Sequence, residues 1–241
     1  MAINKVYPSF AAAVADVPDG ASIMIGGFGG RGGMASYLIA ALREQGAKDL
    51  TIIGNTLGLD RDYKLITPGE ITTEPFILVE NKQIKKAIAS FPVPASPSIP
   101  SAFKLAYRRG EVELEIVPQG TLAERIRAGA AGIGGFYTPT GVGTVVAEGK
   151  EVRVINGREY LLEMPLRADY AFVRAYKADT MGNLTYIGTS RAFNPVVATA
   201  ADVTIVEVNE IVEPGQIDSE LIVTPGVYVH RIVQRPPEGR R

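Results

Sequence analysis

The sequence predicts an α/β fold: an open, mainly parallel sheet with helices on both faces, plus a small β-rich excursion at about 130–165. Three observations carry that prediction. Short apolar runs of strand length alternate with helical patterns along most of the 241 residues. The first of these runs, Ile23–Ile25, stops at Gly26 to Gly33, where six of eight residues are glycine, and helical patterning resumes at Ser36. The alternation then breaks between Gly129 and Gly149, where seven glycines surround Thr138-Pro139-Thr140 and a hairpin pattern follows.

In chain order, Ser9–Val17 reads as a helix and Ser22–Ile25 as a buried strand. Ser36–Gln45 reads as a helix that ends at Gly46, a residue suited to a left-handed cap. Leu50–Ile53 and Lys86–Ser90 are strands. Phe91 to Pro100 is a Pro/Ser stretch that fits neither a helix nor a central strand, so it is a loop leading to a helix at Ser101–Arg109. Val112–Val117 is a strand. Thr121-Leu122-Ala123-Glu124 has capping-box spacing, which places the start of the helix Thr121–Ala128 at Gly120 or Thr121. Glu151–Ile155 and Tyr160–Glu163, joined through Asn156-Gly157, form a hairpin. Tyr170–Tyr176 and Val203–Val208 are strands around a helix at Ser190–Ala200, and Val227–Val233 is an apolar tail strand. With no internal repeat or linker, one domain over 1–241 is expected.

Composition narrows the function. Hydrophobic residues make up 46% and charged residues 21%, enough apolar material for a sizeable core. The net charge is −1, and no basic block offers a nucleic acid or an anionic membrane a surface; the basic, Pro-rich stretch Arg231 to Arg241 reads as a frayed end. The absence of cysteine excludes disulfides, iron–sulfur clusters and thiol catalysis. The start of the chain lacks a signal-peptide core, and no run reaches the ~18 apolar residues of a membrane span. A cytoplasmic protein is expected.

The glycine stretch lets a ligand approach backbone amides at a strand–turn–helix junction, a setting that favours an anionic or carbonyl-oxygen ligand. A tight turn alone would need one or two glycines; six point to a ligand-facing loop. Gly27, Gly29 and Gly32 match Gly-x-Gly-x-x-Gly. The following strand, however, ends in Gly54-Asn55 rather than the acidic residue that a dinucleotide ribose requires. His230, the only histidine, lies in the apolar tail and reads as structural, and no His/Cys/Asp cluster has metal-ligand spacing. Gln119 follows a strand and precedes a helix, between Pro118 and Gly120. From the residues alone it is equally an amide that donates to an oxyanion over the sheet edge or one that satisfies helix-terminal backbone groups.

Several segments together resemble family I coenzyme A transferases, specifically the A (alpha) subunit of the 3-oxoacid or 3-oxoadipate type. Asp19-Gly20 with Ile23–Ile25 and Gly26-Gly27-Phe28-x-x-x-Gly32 is similar to the family's first signature. Pro118-Gln119-Gly120-Thr121-Leu122-Ala123-Glu124-Arg125-Ile126-Arg127-Ala128-Gly129 and Gly134-Gly135-Phe136-Tyr137-Thr138-Pro139-Thr140-Gly141-Val142-Gly143-Thr144 are the most specific matches. Leu162-Glu163-x-Pro165-Leu166-x-Ala168-Asp169, Lys177-x-Asp179-x-x-Gly182-Asn183-Leu184-Thr185-Tyr186, Ala192-Phe193-Asn194-Pro195 and Thr224-Pro225-Gly226-Val227-Tyr228-Val229 follow in family order.

The resemblance implies ping-pong transfer of CoA from an acyl-CoA, such as succinyl-CoA, to a 3-oxo carboxylic acid through a glutamyl-CoA intermediate. It implies Gln119 as the oxyanion donor. Gly26, Gly27, Phe28, Gly29, Gly30, Arg31, Gly32, Asn55, Gly134, Gly135, Thr140 and Gly141 are the implied substrate and CoA-binding residues. No metal or permanently bound cofactor is implied; the coenzyme A thioester is a substrate. The family carries its nucleophilic glutamate in a Ser-Glu-Asn-Gly segment of the B (beta) subunit, and the one Glu-Asn pair here, Glu80-Asn81, is followed by Lys82. The implied partner is therefore the beta subunit in an α2β2 heterotetramer, with neither nucleic acid nor membrane as a partner.

Departures from the pattern, at Gly29-Gly30-Arg31, Met34, Asp60 to Glu80 and Phe91 to Pro100, fall around the implied acyl pocket and leave the acceptor acid open. Arg31 reads as a solvated surface cation, a fork for the distal carboxylate of a dicarboxylic acid, or a partner for a CoA phosphate. Two other functions fit the glycine loop. One is a CoA-, sugar-phosphate- or nucleotide-binding module, which needs neither Gln119 nor the Gly134–Thr144 segment. The other is a CoA-thioester hydrolase homologue without transferase activity.

Overall fold

The computed structural model describes residues 3–28, 33–57, 74–93 and 101–237. Its elements are α1 (Phe10–Val14), β1 (Ser22–Ile25), α2 (Ser36–Gln45), β2 (Leu50–Thr56), α3 (Phe76–Glu80), β3 (Ile84–Phe91), α4 (Ala102–Arg108), β4 (Glu113–Ile116) and α5 (Gln119–Ala131). There follow β5 (Phe136–Thr138), β6 (Val152–Ile155), β7 (Arg158–Glu163), β8 (Ala168–Asp179), β9 (Leu184–Thr185), α6 (Asn194–Ala198), β10 (Ala201–Val212) and β11 (Arg231–Gln234). Among the described residues, an eight-stranded sheet runs β11-β10-β8-β1-β2-β3-β4, with β9 added antiparallel to β8 and every other pair parallel. β6 and β7 are the expected hairpin, and β5, from the glycine-rich stretch, joins β7 to complete a separate three-stranded antiparallel sheet.

Side-chain alternation along the strands builds a core on each face of the large sheet. Ile23, Ile25, Ile52, Ala87, Phe172 and Ile205 point to one face, where Leu38, Ile39 and Leu42 of α2, Phe76 to Val79 of α3 and Phe103 of α4 cover them. Met24, Ile53, Ile88, Val173 and Val206 point to the other, covered by Leu122 and Ile126 of α5 and Val197 of α6. Every large-sheet strand expected from the sequence is present, several of them longer. β8 and β10 run to twelve residues each, because both are central and buried on both faces.

The differences are local. The helix expected from Thr121 begins at Gln119, after Pro118, and no side chain caps it. Thr121 is buried inside the first turn, so the capping-box spacing does not operate. The helix expected at Ser190–Ala200 is a 3₁₀ turn at Gly188–Arg191 followed by α6; Ala192, at φ 31, separates the two. The helix expected over Ser9–Val17 stops at Val14, with the Ser9 hydroxyl accepting the Ala12 N–H (3.1 Å). The tail strand begins only at Arg231, since Gly226–Tyr228 is a 3₁₀ turn. His230 stands just before β11, and its Nδ1 accepts the Thr204 N–H (3.0 Å), the structural role expected of it. The Asn156-Gly157 turn is as expected: both residues have positive φ, at 51° and 78°. No helix among the described residues is long and apolar enough to cross a membrane.

Candidate active site at the carboxyl edge of the sheet

β1 lies where the strand order turns back: β2, β3 and β4 follow on one side, β8, β10 and β11 on the other. In open parallel sheets, the crevice at the carboxyl ends of strands flanking such a point is where ligands bind. Gly26, Gly27 and Phe28 leave β1 at that edge. Gly26 makes a last ladder bond, its N–H to the Phe172 carbonyl (3.0 Å), and Gly27 then turns with φ 101. Phe28 is 45% exposed and stacks on Phe193 just before α6, ring centroids 6.4 Å apart. Gly29, Gly30, Arg31 and Gly32 lie outside the described residues.

Asn55 reaches the same edge from β2. Gly54 pairs with Ala89 and Thr56 with Phe91, so Asn55 and Ser90 are neighbours across β2 and β3. Alternation puts both on the face of Ile53 and Ile88, beneath α5. Among the described residues, both polar atoms of the buried Asn55 carboxamide lack a hydrogen-bond partner, as do the Ser90 and Thr56 hydroxyls. An unmade bond at a buried polar group costs about 1–3 kcal/mol, so a bonding partner is expected at these groups.

Gln119 is the first residue of α5, directly beyond the carboxyl end of β4. Its side chain is half-buried and makes no hydrogen bond among the described residues. The helix-terminal backbone role is therefore not the one it performs. It offers two amide donors beside the unpaired N–H groups and positive end of a thirteen-residue helix.

The rest of the motif that contains Gln119 fastens this helix. Arg125 donates from Nε to the Met164 carbonyl (2.8 Å) and from Nη1 to Glu115 Oε1 (2.7 Å), and its own carbonyl accepts the Leu166 N–H (2.8 Å). Glu115 also takes Lys86 Nζ at 2.9 Å. Burial pushes the Glu115 carboxyl up, but the bonds from Arg125 and Lys86 outweigh it and hold the group below its ordinary range. At Gly129 the helix backbone passes so close to the Leu166 carbonyl that a Cβ would overlap it.

On the other face, Glu207 of β10 is wholly buried and stands under α2. Its Oε2 accepts the Tyr37 and Leu38 N–H groups (2.9 and 3.1 Å), capping a helix whose own N-cap, Ala35, has no side chain to offer. Oε1 faces Arg235 Nε at 3.4 Å. Burial raises the Glu207 carboxyl to about 7, against the pull of Arg235, the two amides and Arg174. A carboxyl raised on folding stabilises most below its unfolded pKa, near 4.5, and loses that contribution as pH rises through about 7. Glu207→Gln keeps an acceptor for α2 and does not titrate. Urea unfolding is therefore expected to shift in the variant's favour between these pH values, by at most about 1.4 kcal/mol per pH unit, and to level off above. A parent–variant difference independent of pH would contradict this.

The structure thus brings Gly26, Gly27, Phe28, Asn55 and Gln119 to one edge. Gly134, Gly135, Thr140 and Gly141 stand around β5, beyond the other end of α5, which spans about 20 Å at 1.5 Å per residue. Two residues at the edge escaped the sequence analysis as individuals. Asn194 belongs to a quoted motif and is buried beside Gly26; Ser90 carries no sequence signal and is found only through strand register. A groove of about 870 Å³ beside α1 and α2, lined by Phe10, Tyr37, Ala41 and Ile77, lies on the opposite face of the sheet from α5.

Comparison with known proteins gives the family. The coenzyme A transferase family profile matches residues 7–235. The chain is 48% identical over 231 residues to the A (alpha) subunit of the 3-oxoadipate CoA-transferase of Pseudomonas putida, covering 96% of this chain and 94% of that protein. It is 46% identical over 239 residues to the corresponding subunit of the probable succinyl-CoA:3-ketoacid coenzyme A transferase of Bacillus subtilis (strain 168), covering 99% and 93%. Among solved structures, the acyl-CoA transferase of Escherichia coli O157:H7 in thioester complex with CoA superposes with a TM-score of 0.80 at 24% identity, over 97% of this chain. This chain spans about half of that one, 47% of its length.

Proposed function

This chain belongs to the coenzyme A transferase family, and from that premise we propose that it is the A (alpha) subunit of a two-chain enzyme moving CoA from an acyl-CoA, such as succinyl-CoA, to a 3-oxo acid. Relatives named as one subunit of such an enzyme cover nearly the whole chain, which supports a separate beta partner. The nucleophile is the carboxylate of a glutamate in that partner's Ser-Glu-Asn-Gly segment. It attacks the thioester carbonyl, CoA leaves as the thiolate, and an acyl-glutamyl anhydride forms. The thiolate then attacks the glutamyl carbonyl, releasing the donor acid and leaving glutamyl-CoA; the acceptor acid reverses the sequence.

In each addition, negative charge collects on a carbonyl oxygen. Gln119, whose amide makes no hydrogen bond among the described residues and stands at a helix N-terminus on the carboxyl edge, is the donor this chain supplies to it, and this is the observation that carries the proposal. Gly26, Gly27 and Phe28 with Asn55 line the same edge, where the buried Asn55 amide has bonding capacity to offer a substrate. Gly29, Gly30, Arg31 and Gly32 are proposed to extend that lining, and Gly134, Gly135, Thr140 and Gly141 to meet CoA or the partner from the small sheet. The assembly is proposed to be α2β2 and cytoplasmic.

The test is reconstitution: purify the chain with and without a beta subunit carrying Ser-Glu-Asn-Gly and assay CoA exchange between succinyl-CoA and acetoacetate. Turnover is expected only with both; robust turnover by this chain alone would overturn the proposal. The reconstituted enzyme also assigns the acceptor. If Arg31 grips a distal carboxylate, Arg31→Ala is expected to lower kcat/KM for 3-oxoadipate about tenfold or more and to spare acetoacetate. Equal losses point to CoA, and no loss places Arg31 at the surface.

A further inference from the structure

Asn194 opens α6, is completely buried, and uses every bond its carboxamide can readily make. Oδ1 accepts the Arg174 N–H (2.9 Å), while Nδ2 donates to the carbonyls of Gly33 and Ser190 (2.8 Å each). The first of these bonds stands in for a sheet bond. In a parallel ladder, a residue whose N–H goes to the Phe172 carbonyl receives the Arg174 N–H on its own carbonyl. Gly26 makes the first bond but not the second, because the Asn194 oxygen takes that N–H instead. The amide side chain thus replaces a peptide group of β1 at the point where β1 must part from β8 and the crevice opens.

The same amide sets both ends of the glycine stretch. A Cβ on residue 26 would fall within the Asn194 carboxamide, 2.7 Å from its Cγ, so only glycine fits against it. At the far end Gly33, at φ 66, is bonded through its carbonyl to Nδ2, and a Cβ there would lie 2.6 Å from that nitrogen. One rigid group therefore determines where the chain leaves the sheet and where it returns towards α2. The chemistry asks for an amide: a carboxylate of the same shape would keep the acceptor but set a negative charge against two carbonyl oxygens.

We propose that Asn194 is a positioning residue for the transfer reaction, fixing Gly26 where the chain leaves β1 and Gly33 where it approaches α2, so that the backbone amides of Gly27 and Phe28 meet the substrate in the productive geometry. The proposal rests on the CoA-transferase reading above. The parent complex must therefore turn over for the test to begin, and its failure would count against that reading rather than against Asn194. The test uses Asn194→Asp and Asn194→Ala in the two-chain complex. Active sites are titrated by the CoA bound covalently after succinyl-CoA is added without acceptor, so that rates are expressed per competent site. Loss of positioning is expected to lower kcat/KM per titrated site about tenfold or more in both variants, with a raised KM for the acyl-CoA. In Asn194→Asp the ratio of variant to parent activity is expected to recover as pH falls from about 8 to about 5.5, because a buried carboxyl there regains a donor once protonated. A purely structural role would lower yield and melting temperature and leave the surviving sites with parental constants. Per-site kcat/KM within about twofold of the parent in both variants would overturn the proposal, as would failure of both to assemble, which would assign Asn194 to folding alone.

Discussion

Gln119→Ala is expected to lower kcat of the assembled enzyme by about 10²–10³-fold, the cost of one oxyanion donor, roughly 2.7–4 kcal/mol of transition-state stabilisation. The oxygen it serves carries little charge in the bound thioester and much more in the tetrahedral species. Losing the donor therefore raises the barrier more than it weakens binding, and KM should move little. The fold should not notice. The Gln119 amide makes no hydrogen bond among the described residues, and α5 is held instead by Arg125 on Glu115 and Met164. Melting temperature and assembly with the partner are expected to match the parent, since an unbonded, half-exposed side chain is worth within about 0.5 kcal/mol. Steady-state kinetics and a thermal melt on the same preparation check both halves. A variant with a lowered melting point and near-parental kcat would make Gln119 a helix cap and remove it from the chemistry.

Gly129→Ala should cost stability through a single methyl. In an ordinary helix interior this change stabilises, by up to about 1 kcal/mol, because alanine loses less backbone entropy. Here the sign is expected to reverse. The new Cβ would overlap the Leu166 carbonyl and come within 2.7 Å of its carbon, and backbone cannot give way as a flexible side chain can. Overpacking of this kind costs about 1–3 kcal/mol, occasionally more, which for a chain of this size lowers Tm by several degrees. Because Gly129 lies in the last turns of α5 and Gln119 at its start, sites that still fold should keep their kcat. A higher melting temperature than the parent would show that α5 and the segment before β8 are less closely packed than the structure has them.

Much of the fold was legible because its signals are local. Apolar runs such as Ile23–Ile25 and Val203–Val208 announce buried strands, Gly46 ends α2 in the left-handed conformation at φ 88, and Asn156-Gly157 specifies its own turn. Errors occurred where a distant residue takes over a local role. Thr121 and Glu124 have capping-box spacing, yet α5 starts two residues earlier, since Pro118 sets the entry and Thr121 is drawn into the core. The N-terminus of α2 has no local capping side chain, and Glu207, far along the chain on β10, does the capping. The site divides in the same way. The glycine stretch and Gln119 stand out from their neighbours in sequence. The Asn55–Ser90 pairing exists only through the register of β2 with β3, and the work of Asn194 only through the fold that carries α6 under Gly26 and Gly33.

The central claim is that this chain supplies the oxyanion side of a shared site and the partner supplies the nucleophile. It is tested most directly by locating the covalent intermediate. The two-chain complex is incubated with succinyl-CoA and no acceptor acid, the chains are separated under acidic denaturing conditions, and each is weighed by intact mass spectrometry. CoA is expected on the partner chain as a thioester that hydroxylamine removes, with this chain at its unmodified mass. A CoA adduct on this chain would contradict the claim.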